Sequence, residues 1–470
     1  MPLARQIPSH CRDTLKTNDR HFDFCHLPFT EKVVPRRMKN DESDFVDVKN
    51  LRIGLFVELD VGWMAHPFPS GSFKISSLKQ IEAILGLGLA RVRHVPAKSD
   101  PMAGDALGVA QAGSDDVAQA VEFELQQAVQ REQLARQQRA NRLRAQQQSL
   151  DYCERRFGEA ARLYRRTLEQ LHSQPVQAAG LCQTLVSGFV GDMLADGESS
   201  IRLLTENAGE KSAMHTVNVT IISLLLGKAM GLNQQDMLDL GMAAFLHDIG
   251  KIELPDRVRW PEDSFSSAEY KLYQEHVVRG IQVGKTMALS NGALLAIGQH
   301  HELVDGSGFP SRLSGEKMTI AAKIIALVNR YDNLCNPSRP GAAMTPHEAL
   351  SLIFAQLKTR FDAAALSGFI RMMGVYPPGS VVQLVDDRYA SVVSVNSARP
   401  LKPRVIVHEP GVPKHEALIL DLEHSPHIGI RRSLKPSSLP IAAMDYLAPR
   451  QRISYFFERV IEEPKPEPGA

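Results

Sequence analysis

The sequence predicts a multi-domain α+β protein built around a helical domain, and three observations support this fold class. A chain of 470 residues has room for two to four domains. Residues 173–374 carry apolar residues at helical spacing, with few strand signals. Residues 47–97 and 375–460 contain short stretches in which apolar and polar residues alternate. We therefore predict a small α/β N-terminal domain, a long connecting helix, an all-α domain and a β-rich C-terminal extension.

Composition and charge exclude several classes of protein. The net charge is +1, so no overall field attracts a nucleic acid polymer or an anionic membrane. The five cysteines lie apart without a Cys-x-x-Cys pair, which argues against a disulfide framework and a cysteine-ligated zinc site. No run of 18 or more apolar residues occurs, and the N-terminus lacks a signal-peptide core. We expect a cytoplasmic protein that binds no nucleic acid polymer and no membrane.

The first stretch with a regular spacing of apolar and polar residues begins near residue 47. Residues 1–46 show no periodicity and are expected to be disordered, and the sequence does not tell whether Met1 or Met38 is the true start. Alternation across residues 51–59 predicts a strand, and residues 89–95 predict a second one. Between them, Ser76 or Ser77 is expected to cap a helix. Its apolar face is predicted to comprise Leu78, Ile81, Ile84 and Leu85.

Residues 98–172 are predicted to form a linker and then one long helix over about 115–172. Apolar residues repeat every seven positions along this helix, namely Leu143, Leu150, Phe157, Tyr164 and Leu171. This spacing is typical of a coiled-coil seam, so we expect a homodimer through the helix. The arginines between residues 131 and 144 stand among glutamines without aromatic residues. We therefore interpret them as a solvated helix face rather than an RNA-binding strip.

The C-terminal region is expected to form a small β unit that packs after the helical domain. Five short strands are predicted, at residues 381–385, 390–395, 404–408, 417–422 and 428–431. The last segment, residues 461–470, is rich in proline and glutamate and is expected to be disordered.

The strongest chemical signal is the stretch from His300 to Pro310, which reads His-His-Glu-Leu-Val-Asp-Gly-Ser-Gly-Phe-Pro. Imidazole and carboxylate together suit divalent metals such as iron, manganese or zinc. Adjacent side chains on a helix diverge by roughly 100°. We therefore expect His300 and His301 to serve two neighbouring ions rather than to share one. The glycines allow the following backbone to turn sharply and approach a ligand.

A second histidine–carboxylate pair lies upstream, in His247-Asp248-Ile249-Gly250-Lys251 at the end of an apolar helical run. The two oxygens of an aspartate can bridge two cations, as two-metal phosphoesterases require. His215 and His276 lie on further helical segments. A lone His-Asp dipeptide is weak evidence for a metal site. The set formed by His215, His247-Asp248, His276 and His300-His301 is strong evidence for one.

With these residues the sequence resembles the HD-GYP domain, a subgroup of the HD-domain metal phosphohydrolases. The family hallmarks are HD-x-G-K, an isolated histidine and H-H-E-x-x-D-G-x-G-Y-P, with Phe309 replacing the tyrosine here. The resemblance covers roughly residues 200–372 and implies an all-helical, HD-type catalytic domain with a metal centre. It implies hydrolysis of cyclic di-GMP to linear pGpG or GMP, or both, by attack of a metal-activated hydroxide. Residues 54–60 also resemble the small domain of unknown function that often precedes HD-GYP domains.

The resemblance implies roles for particular residues. The implied metal ligands are His215, His247, Asp248, His276, His300, His301 and the position of Asn329. Asp248 and Lys251 are the implied catalytic residues. The residues expected to contact the substrate are Lys251, Asp305, Gly306, Gly308, Phe309, Lys323 and Arg339. The expected cofactors are two divalent ions, iron or manganese first and zinc or nickel as alternatives. Besides cyclic di-GMP, signalling proteins are expected partners at the Gly-Phe-Pro loop.

Several residues depart from the family pattern. Asn329 stands where the family has an aspartate ligand, and Lys323 stands where it usually has an arginine. Gly341-Ala342 replace a tyrosine and a basic residue, and Lys211 replaces the glutamate of three-metal members. A second hypothesis is therefore a weakened or inactive relative that binds cyclic di-GMP or serves as a signalling scaffold. A third, hydrolysis of another nucleotide, is disfavoured by the Gly-Phe-Pro loop. Metal identity, end product and input signal do not follow from the sequence.

Overall fold

The computed structural model describes residues 44–61, 68, 70–100, 114–195, 197, 199–205, 211–260, 265–395, 399, 401–425 and 427–459. The chain divides into two compact units, residues 1–121 and 122–470. The segments expected to be disordered, apart from residues 44–46, lie outside the described residues, as does Met38. Among the described residues, no helix combines the length and the apolarity needed to cross a membrane.

Among its described residues before residue 101, the first unit contains a four-stranded antiparallel sheet and one α-helix. Its elements are β1 (Asp44–Asp47), β2 (Phe56–Glu58), β3 (Ser72–Lys74), α1 (Leu78–Leu85) and β4 (Arg91–His94). The strand order is β1-β4-β2-β3. Val57, Ile75, Ile84 and Val92 form its buried core. The predicted strand, helix and second strand are present, so this unit has the predicted α/β composition.

Two details of that prediction are wrong. The strand expected over residues 51–59 is limited to Phe56–Glu58, because Gly54 turns the chain with a φ of +94°. The predicted apolar helix face is only partly buried. Ile84 is buried, whereas Leu78 is 68% and Leu85 is 47% exposed.

The second unit contains ten α-helices and seven strands among its described residues. Its first part consists of α2 (Ser114–Gln170, which begins before the unit boundary), α3 (Pro175–Leu194), β5 (Ser199–Leu203), α4 (Lys211–Ala229), α5 (Gln234–Leu246), α6 (Ser267–Thr286), α7 (Asn291–Gln299), α8 (Ile320–Cys335), α9 (Pro346–Gln356) and α10 (Ala363–Met373). Its second part consists of β6 (Val381–Leu384), β7 (Tyr389–Val395), β8 (Arg404–Val407), β9 (Ile419–Asp421), β10 (Ile430–Leu434), α11 (Ile441–Leu447) and β11 (Tyr455–Arg459). The long helix and the helical domain therefore occur where the sequence predicts them.

The apolar residues that repeat every seven positions along α2 form a seam that packs against the rest of the same chain. The buried part of this seam is therefore not available as a dimer surface. Phe157, Tyr164 and Leu171 are buried in the main hydrophobic core of the second unit. The ring of Tyr164 contacts Phe245 of α5 edge to face, with centroids 5.6 Å apart. The interpretation of these three residues as a coiled-coil interface is therefore wrong, because one copy of the chain already buries them. The homodimer itself stays a prediction that this seam no longer supports.

The C-terminal strands form one antiparallel sheet with a strand from the helical region. The order is β10-β6-β7-β5-β11, and β8 pairs with both β7 and β9. The five predicted strands correspond to β6 through β10. Sequence reasoning missed β5, β11 and the short helix α11. Because β5 precedes α4 and β11 is the last strand, their pairing joins the segment before α4 to the C-terminal part of this unit.

Candidate metal centre

Two groups of side chains lie close enough to hold metal ions, and Asp248 belongs to both. One group contains His215, His247 and Asp248, and the other contains Asp248, His276, His300 and His301. Within each group the candidate ligand atoms lie within 4.8 Å of one another. The structure thus brings together all six histidine and aspartate residues that the sequence singled out as metal ligands.

Four of these six side chains lie at the C-terminal ends of two helices, and the other two lie within helices. His247 is the C-terminal cap of α5 and Asp248 follows it, while His300 caps α7 and His301 follows it. His215 lies on α4 and His276 on α6. Both His300 and His301 fall in the same candidate group, so the geometry does not support the expectation that they serve different ions, which stays a prediction. Since α7 ends at Gln299, the 100° divergence of adjacent helical residues does not separate them.

Asp248 presents one carboxylate oxygen to each group. Its Oδ2 lies 3.4 Å from His247 Nε2 and 3.7 Å from His215 Nε2. Its Oδ1 lies 3.6 Å from His276 Nε2 and 3.8 Å from His300 Nε2. This is the arrangement that a carboxylate needs to bridge two cations.

The far side of each imidazole ring is fixed by a hydrogen bond. The Nδ1 atoms of His247, His276 and His300 lie 2.8, 2.5 and 2.7 Å from the carbonyl oxygen three residues earlier in each case. A proton on Nδ1 leaves the lone pair of Nε2 pointing into the centre, the tautomer that metal-ligating histidines need. His215 Nδ1 contacts Asp332 Oδ2 at 2.6 Å instead.

The donor set fits divalent cations, and two buried atoms lack any other partner. Asp248 Oδ1 and His301 Nε2 have no hydrogen-bond partner in the described part of the chain. Burial lowers the pKa of His276 to about 4 and holds the pKa values of His300 and His301 well below their usual value. These rings are therefore neutral at pH 7, as ligands must be. A nitrogen-rich set with a carboxylate suits iron, manganese, zinc or nickel.

Lys251 supplies the positive charge next to the shared carboxylate. Its Nζ donates to Asp248 Oδ2 at 2.7 Å. Burial alone would raise the pKa of Asp248, but Lys251 and His247 hold it well below its usual value. Nζ also lies 5.0 Å from the ring centroid of Trp260 and 5.4 Å from that of Tyr273. Lys251 is thus fixed at the edge of the centre by a carboxylate and two aromatic faces.

The loop from Glu302 to Pro310 lies against the second group. The ring of Phe309 stacks on His301 with centroids 4.5 Å apart. Both oxygens of the buried Glu302 accept backbone N–H groups farther along the loop, from Ser311 at 2.6 Å and Leu313 at 2.9 Å. The carboxylate of Glu302 therefore holds this loop in place and is not offered to a metal.

Two glycines of the loop allow a backbone conformation that other residues would strain. A Cβ on Gly308 would lie 2.4 Å from the nitrogen of Leu303, and Gly306 has a φ of +75°. The exposed Asp305 accepts hydrogen bonds from the backbone and hydroxyl of Ser307 at 2.9 and 2.6 Å. Asp305 thus stabilises its own turn, and its role in substrate contact stays a prediction.

Three other predicted site residues do not belong to the two groups. Asn329 is buried, and its Oδ1 accepts a hydrogen bond from Asn333 Nδ2 at 2.6 Å. Lys323 forms an ion pair with Asp362 at 3.0 Å. Arg339 is exposed on the segment after α8. Asn329 and Lys323 thus contact residues outside the two groups, and the roles of all three residues at the site stay predictions.

Sequence reasoning missed Asp332, the carboxylate that binds the outer nitrogen of His215. Asp332 is fully buried, and its Oδ1 accepts from Asn218 Nδ2 at 2.8 Å while Oδ2 contacts His215. It lies three residues after Asn329, one helical turn along α8. That spacing is the only sequence signal that could have identified it.

Comparisons with known proteins agree with this geometry. Residues 195–365 match the family described as HD domain, and residues 45–182 match the domain of unknown function DUF3391. Cyclic di-GMP phosphodiesterase PA4108 of Pseudomonas aeruginosa is 24% identical over 377 residues, which is 77% of this chain and 84% of that protein. The cyclic di-GMP phosphodiesterase response regulator RpfG of Xanthomonas campestris is 31% identical over 150 residues, which is 31% of this chain and 39% of that protein.

Among solved structures, Bd1817, a HDG"Y"P protein from Bdellovibrio bacteriovorus, aligns over 70% of this chain and 98% of that chain. Its TM-score of 0.38 at 15% identity is too low to carry a conclusion. The family matches are more informative, because the HD-domain match contains every residue of the two ligand groups. The DUF3391 match extends through α2, well beyond the predicted boundary at residue 97. The chain therefore contains an HD domain over residues 195–365, preceded by a DUF3391 domain over residues 45–182.

Proposed function

We propose that this protein is a metal-dependent phosphodiesterase that hydrolyses cyclic di-GMP. The observation that carries the proposal is one buried carboxylate, Asp248, shared by two histidine groups. Its unpartnered Oδ1 and the unpartnered Nε2 of His301 support bound cations at this point. The names of the relatives supply the substrate class, and the product is linear pGpG or GMP.

Each residue near the two groups would have its own role in the hydrolysis. Two bound divalent ions would supply an activated water and would neutralise charge on the scissile phosphate. Asp248 would hold both ions, and the imidazoles would fix their positions. Lys251, next to Asp248, would offset negative charge that develops on the phosphate oxygens. Phe309, stacked on His301, would close one side of the site against water.

The proposal is tested by turnover on purified full-length protein. Metal content is measured first, and cyclic di-GMP is then incubated with protein loaded with manganese or iron. We expect hydrolysis that a chelator abolishes and that added metal restores. A cyclic dinucleotide with one adenine, assayed in parallel, reports base selectivity. Protein that holds two ions per chain but leaves cyclic di-GMP intact would contradict the proposed activity.

The second candidate is a weakened relative that binds the dinucleotide without efficient turnover, and Asn329 favours it. An amide oxygen brings a dipole where a carboxylate would bring a full charge, and this one already accepts from Asn333. Asn329→Asp is therefore expected to lower the manganese concentration needed for half-maximal occupancy by about 10-fold or more, by analogy with losses around metal sites. Titration of manganese against both proteins measures this shift. Identical metal dependence and identical rates would show that position 329 does not face the ions.

Asp332→Asn should weaken metal binding by a different route. The carboxylate of Asp332 orients His215 and makes the ring a stronger ligand. Its loss is expected to cost about 10–100-fold in metal affinity or activity. Competition with a fluorescent chelator measures the affinity. The control is Asp236→Asn, which changes an exposed aspartate at the start of α5, where its backbone N–H is bound by Asn233. Equal metal affinity in Asp332→Asn and the wild type would remove Asp332 from the centre.

The partner predictions also belong to this proposal. The loop around Phe309 presents Asp305, Ser307 and Pro310 to solvent, which supports it as a surface for a signalling protein. A homodimer would have to use a part of α2 other than its buried seam. Light scattering of the full-length chain at tens of micromolar distinguishes a dimer from a monomer.

A further inference from the structure

The C-terminal sheet brings residues 453–455 next to the residues that support His215. This segment lies beyond residue 365, where the HD-domain match ends, and it leads into β11. Its first and last residues are buried. Tyr455 stands opposite Leu203 of β5, in the antiparallel pairing that continues to Arg459. The pairing with β5 therefore fixes the backbone at the end of this segment.

Two asparagines bind this segment and Asp332 at the same time. The amide oxygen of Asn218, on α4, accepts from the backbone N–H of Tyr455 at 2.9 Å. Its Nδ2 donates to the carbonyl oxygen of Ile453 and to Asp332 Oδ1, both at 2.8 Å. Asn336, the C-terminal cap of α8, accepts from the N–H of Ile453 at 2.8 Å, and its Nδ2 donates to the same two oxygens at 2.9 Å. Because a backbone N–H can only donate, it determines where each amide oxygen lies and so directs each Nδ2 to Asp332.

The bound carboxylate of Asp332 in turn orients His215. Two amide nitrogens bind Oδ1 of Asp332, and its Oδ2 lies 2.6 Å from His215 Nδ1. A carboxylate at the outer nitrogen fixes the ring of a ligating histidine and makes it a stronger ligand. His247, His276 and His300 instead place Nδ1 against a carbonyl oxygen of their own helix. Among these four rings, His215 is thus the one that a side chain orients, and the asparagines bind that side chain to residues 453–455.

We propose that residues 453–455, through Asn218 and Asn336, position the metal ion of the His215 group. The two asparagines are positioning residues, because they reach this ion only through Asp332 and His215. The alternative is that they only attach the segment to α4 and α8. Attachment needs only the bonds to the segment backbone, whereas both amide nitrogens are shared with one oxygen of Asp332. The inference rests on the metal centre of the proposed function and not on its substrate.

Titration of manganese against full-length Asn336→Ala, in competition with a fluorescent chelator, tests the inference. The class of ion that Asp332→Asn weakens identifies the His215 group. We expect Asn336→Ala to weaken that class by about 10-fold, at the lower end of the losses seen around metal ligands. The ion of the other group should keep its affinity. In an Asp332→Asn background the same change should add little, because its route to His215 is already removed. Asn218→Ala should reproduce the selective loss.

The control is Ser149→Ala, which removes a different hydrogen bond to β11. Ser149 lies on α2 and donates to Glu458 Oε2 at 2.7 Å. Its loss should lower the free energy of unfolding of the chelator-treated protein in urea and leave both metal affinities unchanged. Lower stability with unchanged metal affinity in both asparagine variants would overturn the inference, because the asparagines would then only attach the segment.

Equal losses in both classes of ion, or a loss in Ser149→Ala, would overturn the inference too, since a general loosening of β11 would then explain the effect. Asn336 is only partly buried, so Asn336→Ala tests the inference if Asn218→Ala does not fold. A selective loss of metal affinity in a protein that leaves cyclic di-GMP intact would support the inference and would count against the proposed activity alone.

Discussion

Replacing Asp248 with alanine is expected to abolish hydrolysis of cyclic di-GMP and to remove the bound metal. One carboxylate faces both histidine groups, through Oδ1 on one side and Oδ2 on the other. Without it, two dications would repel each other at short range in a buried site. We expect a loss of turnover of at least about 1,000-fold, since metal ions supply several kcal/mol of transition-state stabilisation. Elemental analysis and an assay of the dinucleotide measure the two effects.

The control for this variant is Asp256→Asn. Asp256 lies eight positions along the chain, its side chain is 90% exposed, and its ion pair with Arg259 is a surface contact. This variant should retain its metal and its activity. Asp248→Ala also removes the carboxylate that pairs with the half-buried Lys251, so thermal unfolding of the variant is measured as well. A folded Asp248→Ala protein with normal metal content and turnover would exclude the role assigned to Asp248.

The members of the two candidate ligand groups could be predicted from the sequence, because histidine and aspartate stand there in short, characteristic motifs. His247-Asp248 and His300-His301 follow apolar helical runs, and the structure places both pairs at helix ends. Asp332 could not be predicted in the same way. Its contact with His215 spans 117 residues of sequence, and an aspartate in a helix carries no local sign of such a partner.

The packing of α2 shows that seven-residue periodicity does not reveal what a helix face packs against. Seven-residue spacing places apolar residues on one helix face, whether that face meets a second chain or the core of its own domain. In α2, Phe157 and Tyr164 meet their own core. The sheet illustrates the same limit, because β5 pairs with β11 across more than 250 residues. A five-residue strand inside a helical region gives too weak a local signal to predict that pairing.

Gly250→Ala is expected to destabilise the protein and to release metal, although it changes no ligand. Gly250 lies in the turn after Asp248, where the chain touches α6. A Cβ there would lie 2.1 Å from the carbonyl oxygen of His276 and 2.3 Å from the nitrogen of Gly280. Both contacts are with backbone, so no side-chain rotation relieves them.

The turn or α6 must therefore move, and Asp248 and His276 would separate. We expect a loss of about 1–3 kcal/mol in the free energy of unfolding, or more. Metal affinity should fall at least 10-fold, because ligand geometry is fixed by this contact. Urea unfolding of the chelator-treated protein gives the first quantity, and metal competition gives the second.

Gly180→Ala is the matched control for this change. Gly180 lies on an exposed face of α3, and a Cβ there meets no atom within 4 Å. Alanine at that helical position should stabilise the protein by about 0.5–1 kcal/mol and leave metal affinity unchanged. If Gly250→Ala behaved like Gly180→Ala in both measurements, the close approach of the turn to α6 would not hold the metal centre together. Loss of metal affinity with unchanged stability would instead place the effect in the positions of Asp248 and His276 alone.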